Sequence, residues 1–160
     1  MKKILYMLAL GAVVGCQKSE PDLLFGKTAS ERMEVAKQEL RQTLSAAPNG
    51  WKLTYFTVKG FFGGFTILMK FDPNGRVVMT SDIENTFEPR ESSYQIQEGQ
   101  GPLLVFTTKN YIHDLADSSS PRDLMPSGYL GEFQFVYFGK EGNKLKFRTQ
   151  RKDTQQFVYF

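Results

Sequence analysis

The feature that most constrains this fold is an alternation of apolar and polar residues that begins at Trp51. Trp51, Leu53 and Tyr55 would share one face of a β-strand, with polar residues on the other face. The same period of two returns at residues 65–71, 77–79, 94–96, 103–107, 132–138, 145–147 and 156–160. Since short strands that follow one another through turns pair as antiparallel neighbours, the pattern predicts a β-meander of about eight strands.

One helix is predicted ahead of the strands, over residues 28–46. Its apolar stripe recurs at spacings of three and four, at Met33, Ala36, Leu40 and Leu44. Thr28 and Glu31 fit a capping box, and the Pro-Asn-Gly run at 48–50 would end the helix. We therefore predict a mainly β (α+β) fold, an N-terminal helix packed on an antiparallel meander that forms an open sheet or a lipocalin-like barrel.

The first 15 residues have the organisation of a secretory signal peptide. Lys2 and Lys3 precede an apolar run at 4–14 that is too short to span a bilayer, and Gly15 precedes the single cysteine, Cys16. The tetrad at 13–16, Val-Val-Gly-Cys, resembles a bacterial lipobox, in which the cysteine is lipidated after cleavage. The alternative is an ordinary secretory signal with an incidental cysteine. With several acyl chains, attachment to a membrane would be lasting.

This signal defines the expected domain plan and location. We expect a lipoprotein signal peptide at 1–15, a polar tether at 16–27 and a single β-rich domain at 28–160, anchored to the outer membrane with its domain at the cell surface or in the periplasm.

Removing residues 1–15 lowers the formal net charge from +3 to +1, so the basic character gives no reason to expect nucleic-acid binding. No cofactor and no metal site are predicted, because one histidine without a free thiol cannot build the common zinc sites.

Residues 108–128 are predicted to be a long irregular loop, of the kind that often binds ligands. It contains His113, the only histidine, together with Asp114 and Asp117. One interpretation makes His113 a general base oriented by Asp114 or Asp117. The other makes these side chains structural, satisfying backbone groups where a strand gives way to a loop. Ligand contact by the three residues is a further possibility.

The chain has more aromatic residues than one face of a small sheet needs, with 14 Phe and 7 Tyr. Phe61 and Phe62 lie in a glycine-flanked turn, where burial is difficult to arrange. They are candidates for a ligand- or partner-binding surface, sugar faces included. The alternative is that both rings fold back and cap an open barrel.

Several motifs resemble a known family, the Bacteroidetes lipoproteins with domain of unknown function 4302. The most specific are APNGW at residues 47–51 and HDLAD at 113–117; the others are the lipoprotein signal, ER at 31–32, GGF at 63–65, MKF at 69–71, SD at 81–82 and SSY at 92–94. The resemblance implies no assigned activity and no catalytic residues. It implies genes placed beside outer-membrane nutrient importers, and members longer than this chain, so that a truncated or short member is expected.

The function expected from these features is binding rather than catalysis. We expect a membrane-anchored accessory to glycan or peptide uptake, with an outer-membrane importer complex as its partner. Two alternatives stay open at this point: a hydrolase that uses His113 with Asp114 or Asp117, and a purely structural envelope protein.

Overall fold

The computed structural model describes residues 26–84, 86–119 and 128–160. It contains helices α1 (Ala29–Ala46) and α2 (Tyr111–Ala116) and one 3₁₀ turn (Lys152–Thr154). The strands are β1 (Trp51–Tyr55), β2 (Phe65–Phe71), β3 (Arg76–Ser81), β4 (Arg90–Glu98), β5 (Pro102–Phe106), β6 (Gln134–Glu141), β7 (Lys144–Thr149) and β8 (Phe157–Tyr159). The predicted signal peptide, Cys16 and most of the predicted tether lie outside the described residues.

The eight strands form one antiparallel sheet in sequence order, from β1 at one edge to β8 at the other. The sheet curls until these edges approach each other. The side-chain amide of Gln156 joins them, donating to the backbone oxygen of Phe56 at 2.5 Å and to that of Thr57 at 3.3 Å. The predicted mainly β fold, a meander of about eight strands with an N-terminal helix, is confirmed as a nearly closed barrel.

The barrel core follows from the period of two along each strand. Inward-facing residues are fully or almost fully buried, and many are aromatic. Rings from distant strands meet edge to face, with centroids 6.0 Å apart for Tyr55 and Phe135 and 5.0 Å apart for Phe71 and Tyr94. Much of the aromatic excess noted in the sequence therefore fills this interior.

Helix α1 packs on the barrel through its predicted stripe, with Leu40 and Leu44 fully buried. The capping box is confirmed, because the Thr28 hydroxyl accepts from the Glu31 amide at 3.1 Å and the Thr28 amide donates to the Glu31 carboxylate at 2.7 Å. The Trp51 indole then ties β1 to the end of the helix by donating to the Leu44 backbone oxygen at 2.9 Å. Neither helix in the described ranges has the length and hydropathy to cross a membrane.

The prediction of an irregular loop over residues 108–128 is wrong for its first part, where α2 forms. Asn110 caps this helix, its side-chain oxygen accepting from the Ile112 amide at 3.0 Å. Tyr111, Ile112 and Leu115 are fully buried against the barrel. Burial of this short apolar face, rather than intrinsic helix propensity, stabilises six residues that are too few to form a helix alone.

Candidate functional site

A cavity of about 640 Å³ opens beside α2 and the start of β4. Its described lining comes from five separate parts of the chain: Ile83, Glu84, Arg90, Lys109, Asp114 and Tyr129. It is an open depression of the surface, with a volume comparable to that of ligand-binding clefts. We call it the α2 cavity.

The polar groups of the α2 cavity form one network around Arg90. Its guanidinium donates to a Glu84 oxygen at 2.5 Å and to an Asp114 oxygen at 2.6 Å. The second Asp114 oxygen lies 3.4 Å from the Lys109 ammonium. Although burial opposes ionisation, the hydrogen bonds to Glu84 and Asp114 raise the pKa of Arg90 above its ordinary value. Two cations and two carboxylates thus give a wall with no net charge and many hydrogen-bonding groups.

The network is held in place because α2 is fixed to β4 and to the connection before it. The Arg90 guanidinium lies 4.0 Å from the centroid of the Tyr111 ring, a cation–π contact. The Tyr111 hydroxyl donates to the Glu88 backbone oxygen at 2.7 Å. At the start of α2, the buried Asn110 amide donates to the Ser92 hydroxyl at 2.9 Å. These bonds set the position of Asp114 relative to Arg90.

An aromatic ledge adjoins the cavity, formed by Phe61, Phe62, Phe65 and Tyr129. Successive rings meet edge to face, with centroids 5.2 Å apart for Phe61 and Phe62 and 5.3 Å apart for Phe62 and Tyr129. Tyr129 also packs on Phe65 at 5.0 Å and belongs to the cavity wall. Phe61 remains 65% exposed at the outer end of the ledge. The structure therefore brings the predicted residues Phe61, Phe62 and Asp114 into one region around Tyr129.

The structure places His113 in a different environment. Its ring stacks on Phe133 with centroids 5.0 Å apart, and its Nδ1 lies 3.1 Å from the Asn110 side-chain oxygen. Burial lowers the pKa of His113 below its ordinary value of 6.5, although a hydrogen bond to the Phe106 backbone oxygen and the charge of Asp114 act the other way. His113 is not among the residues described as lining the α2 cavity.

The two aspartates near His113 make different contacts. Asp114 directs both oxygens to cations, Arg90 and Lys109. Asp117 follows the last residue of α2, where its amide donates to the His113 backbone oxygen at 2.8 Å and its carboxylate accepts from the Ser119 amide at 2.8 Å. Within the described ranges, no cluster of three or more histidine, cysteine or acidic residues has the geometry of a metal site.

Sequence reasoning did not identify Arg90, Lys109 or Tyr129 as site residues. Each stands alone in its own segment, and only the curling of the sheet and the docking of α2 bring them together. Glu84 belongs to the acidic connection between β3 and β4. The sequence did contain one indication of this network, the lone Arg90 inside the acidic run at 82–91. An arginine among carboxylates favours paired hydrogen bonds.

Comparison with known proteins gives one match, to a family. No curated protein and no solved structure matches the chain. The model of the family described as Domain of unknown function (DUF4302) matches residues 21–159, which covers α1, α2 and all eight strands of the barrel. The chain therefore belongs to the DUF4302 family, as its APNGW and HDLAD motifs predicted.

Proposed function

We propose that this chain is a lipid-anchored binding protein of the bacterial outer membrane that binds a neutral oligosaccharide. The observation that supports this proposal is the α2 cavity, whose charged groups cancel, next to the partly exposed aromatic ledge.

The chemistry of the cavity suits a sugar. Sugar hydroxyls both donate and accept hydrogen bonds, and the Arg90 network offers donors and acceptors at fixed positions. The apolar C–H face of a sugar ring packs on aromatic rings, which Phe61 and Tyr129 offer beside that network. A phosphate or a carboxylate ligand would have to compete with Glu84 and Asp114 for Arg90, so a neutral ligand fits best.

A ligand screen tests this choice. The full-length chain in neutral detergent is applied to an array of neutral oligosaccharides, uronic-acid oligosaccharides and short peptides. We expect binding to a subset of the neutral oligosaccharides, weakened by Phe62→Ala. Binding confined to peptides, or no binding to any member, would contradict the proposed ligand.

The anchor is proposed from residues 1–16, whose charged start, apolar run and Gly-Cys end form a lipoprotein signal. Cells fed an alkyne-labelled fatty acid should incorporate the label into the native chain and not into Cys16→Ala. Ser19→Ala serves as the matched control, because it also changes one small side chain near the expected start of the mature protein. Equal labelling of Cys16→Ala would show that lipid is not attached at this cysteine.

An outer-membrane importer is the proposed partner, as implied by the family resemblance. The tagged chain is crosslinked mildly and purified from detergent-solubilised outer membranes. We expect an importer or one of its lipoproteins to accompany the native chain and to be lost with Cys16→Ala. Recovery of the native chain alone would contradict the proposal that an importer is its partner.

The chain is proposed to bind its ligand without chemical turnover. Support comes from His113, whose ring contacts are with Phe133, Asn110 and Phe106, while Asp114 pairs with cations. Mass spectrometry of a bound oligosaccharide after long incubation should show no new product. Product formation that is abolished by His113→Gln would favour the hydrolase instead.

A further inference from the structure

A second cleft, independent of the α2 cavity, lies where the two edges of the barrel meet. It has a volume of about 490 Å³, and we call it the β1–β8 seam. Its described lining is Lys52, Thr54, Phe56, Lys59, Lys144, Gln156, Phe157, Val158, Tyr159 and Phe160. This described lining has no residue in common with that of the α2 cavity.

The edges of β1 and β8 face each other across this seam without pairing, although the two strands lie close together. In the described sheet β1 pairs only with β2, and β8 pairs only with β7. Gln156 bridges the two edges with its side chain near Phe56, and within the part of the chain that the structure describes no strand ladder joins β1 to β8. An unpaired strand edge presents alternating N–H and C=O groups, which an added extended strand satisfies.

The charge of the seam is of one sign. Lys52, Lys59 and Lys144 contribute to its lining, and no acidic residue is among the described lining residues. None of the three has an ion-pair partner among the described residues, unlike Lys109 and Lys146, which pair with Asp114 and Glu141. Carboxylates of a bound segment would therefore meet lysines that are not already neutralised.

The seam also has apolar side chains for a ligand to cover. Phe56, Phe157 and Tyr159 are exposed despite their size. Lys146, which is paired with Glu141, lies 4.5 Å from the centroid of the Phe157 ring. Apolar side chains of a bound segment can pack on these rings while its carboxylates reach the lysines.

We propose that the β1–β8 seam binds an extended acidic peptide segment by strand addition. Such a segment displaces the Gln156 bridge, parts the two edges and pairs with one of them, while its side chains contact the three lysines and the exposed rings. An anionic membrane surface would satisfy the lysines but not the backbone groups, because lipid headgroups do not present the N–H and C=O spacing of a strand.

The test uses a labelled peptide of about six residues, the length of an ordinary strand. A capped fluorescein-labelled peptide of alternating Glu and Val is titrated with the full-length chain in neutral detergent, and binding is followed by fluorescence anisotropy. We expect binding that weakens about tenfold or more when Gln replaces Glu, or when Lys52→Glu and Lys144→Glu are combined. Lys70→Glu, an exposed charge change on β2, is the matched control and should leave the affinity unchanged.

Strand addition itself is tested by a second peptide, N-methylated at alternate backbone amides. It keeps the charge and loses the strand donors, so we expect it not to bind, while the unmodified peptide slows hydrogen exchange at 52–56 and 157–160. Equal affinity of both peptides, no binding of the unmodified peptide, or binding insensitive to Lys52→Glu and Lys144→Glu would overturn the proposal. Preferential binding of the chain to phosphatidylglycerol vesicles through these lysines, without peptide binding, would identify a membrane-contact surface instead.

Discussion

Asp114 lies where α2 meets β4, and single substitutions there report on the cavity network. Its side chain is 19% exposed and accepts from Arg90 at 2.6 Å. Arg90 keeps a second partner, Glu84, when Asp114 is changed. The contribution of Asp114 should therefore be that of one charge-assisted hydrogen bond in a partly buried place.

Asp114→Asn is expected to lower the free energy of unfolding by about 1–2 kcal/mol, because Arg90 loses one of its two carboxylates. Urea denaturation followed by circular dichroism measures the change. Glu141→Gln is the matched control, since it removes a carboxylate that pairs with Lys146 on the exposed part of β6 and should have almost no effect. An equal loss in both variants would contradict the special role of the Arg90 network.

His113 should titrate below pH 6.5, because burial disfavours its charged form. With its pKa lower in the folded than in the unfolded state, its stabilising effect is fully present above pH 6.5 and is lost as the pH falls through the folded pKa. Since His113 is the only histidine, NMR of the imidazole protons in the Cys16→Ala chain gives this pKa directly. His113→Gln should flatten the pH dependence of the unfolding free energy in this range, whereas a pKa above 6.5 would contradict the described burial.

Among the elements, the junction of α1 with β1 depends on a glycine, Gly50. Gly50 has a φ of +72°, and a Cβ placed on it would lie 2.4 Å from the backbone oxygen of Met69. Gly60 has a similar φ of +78° with no atom within 4 Å of such a Cβ. The two positions share a positive φ and differ in the space that a Cβ would find.

Gly50→Ala is expected to destabilise the fold more than Gly60→Ala. Both variants incur the strain of a positive φ, about 1–2 kcal/mol, but only at Gly50 must β2 move away from the new methyl group. Thermal unfolding of the two purified variants measures the difference. Equal melting temperatures would mean that the approach of α1–β1 to β2 is looser than described.

The elements also show what the sequence can predict. The strands follow directly from their period of two, and α1 from its stripe and capping box, because these signals are local. Helix α2 has no such signal: six residues hold one turn and a half, and its stability comes from burying Tyr111 and Leu115 on the barrel. Phe61 and Phe62 were predictable as surface candidates because their glycine-flanked turn is a local signal. Their contact with Tyr129 was not predictable, because it joins distant segments of the chain.

At the scale of the whole molecule, the barrel carries two candidate surfaces with different chemistry. The α2 cavity has paired charges, and the β1–β8 seam has unpaired lysines. They are built from different residues, so changes at one should not alter the other.

We expect the two sites to be energetically independent. Lys52→Glu combined with Lys144→Glu should leave oligosaccharide binding unchanged, and Phe61→Ala should leave binding of the Glu-Val peptide unchanged. Titrations of each ligand in the presence and absence of the other measure any coupling directly. A change of about fivefold or more in either affinity would mean that the barrel links the two sites.

The most direct test of oligosaccharide binding compares two exposed phenylalanines. The best oligosaccharide from the array is titrated calorimetrically into the native chain, Phe61→Ala and Phe138→Ala. Phe61 ends the aromatic ledge, whereas Phe138 is 47% exposed on β6 and packs on Phe157. We predict that Phe61→Ala weakens binding about tenfold and that Phe138→Ala leaves it unchanged; equal affinities for all three chains would show that the ligand does not bind at the ledge.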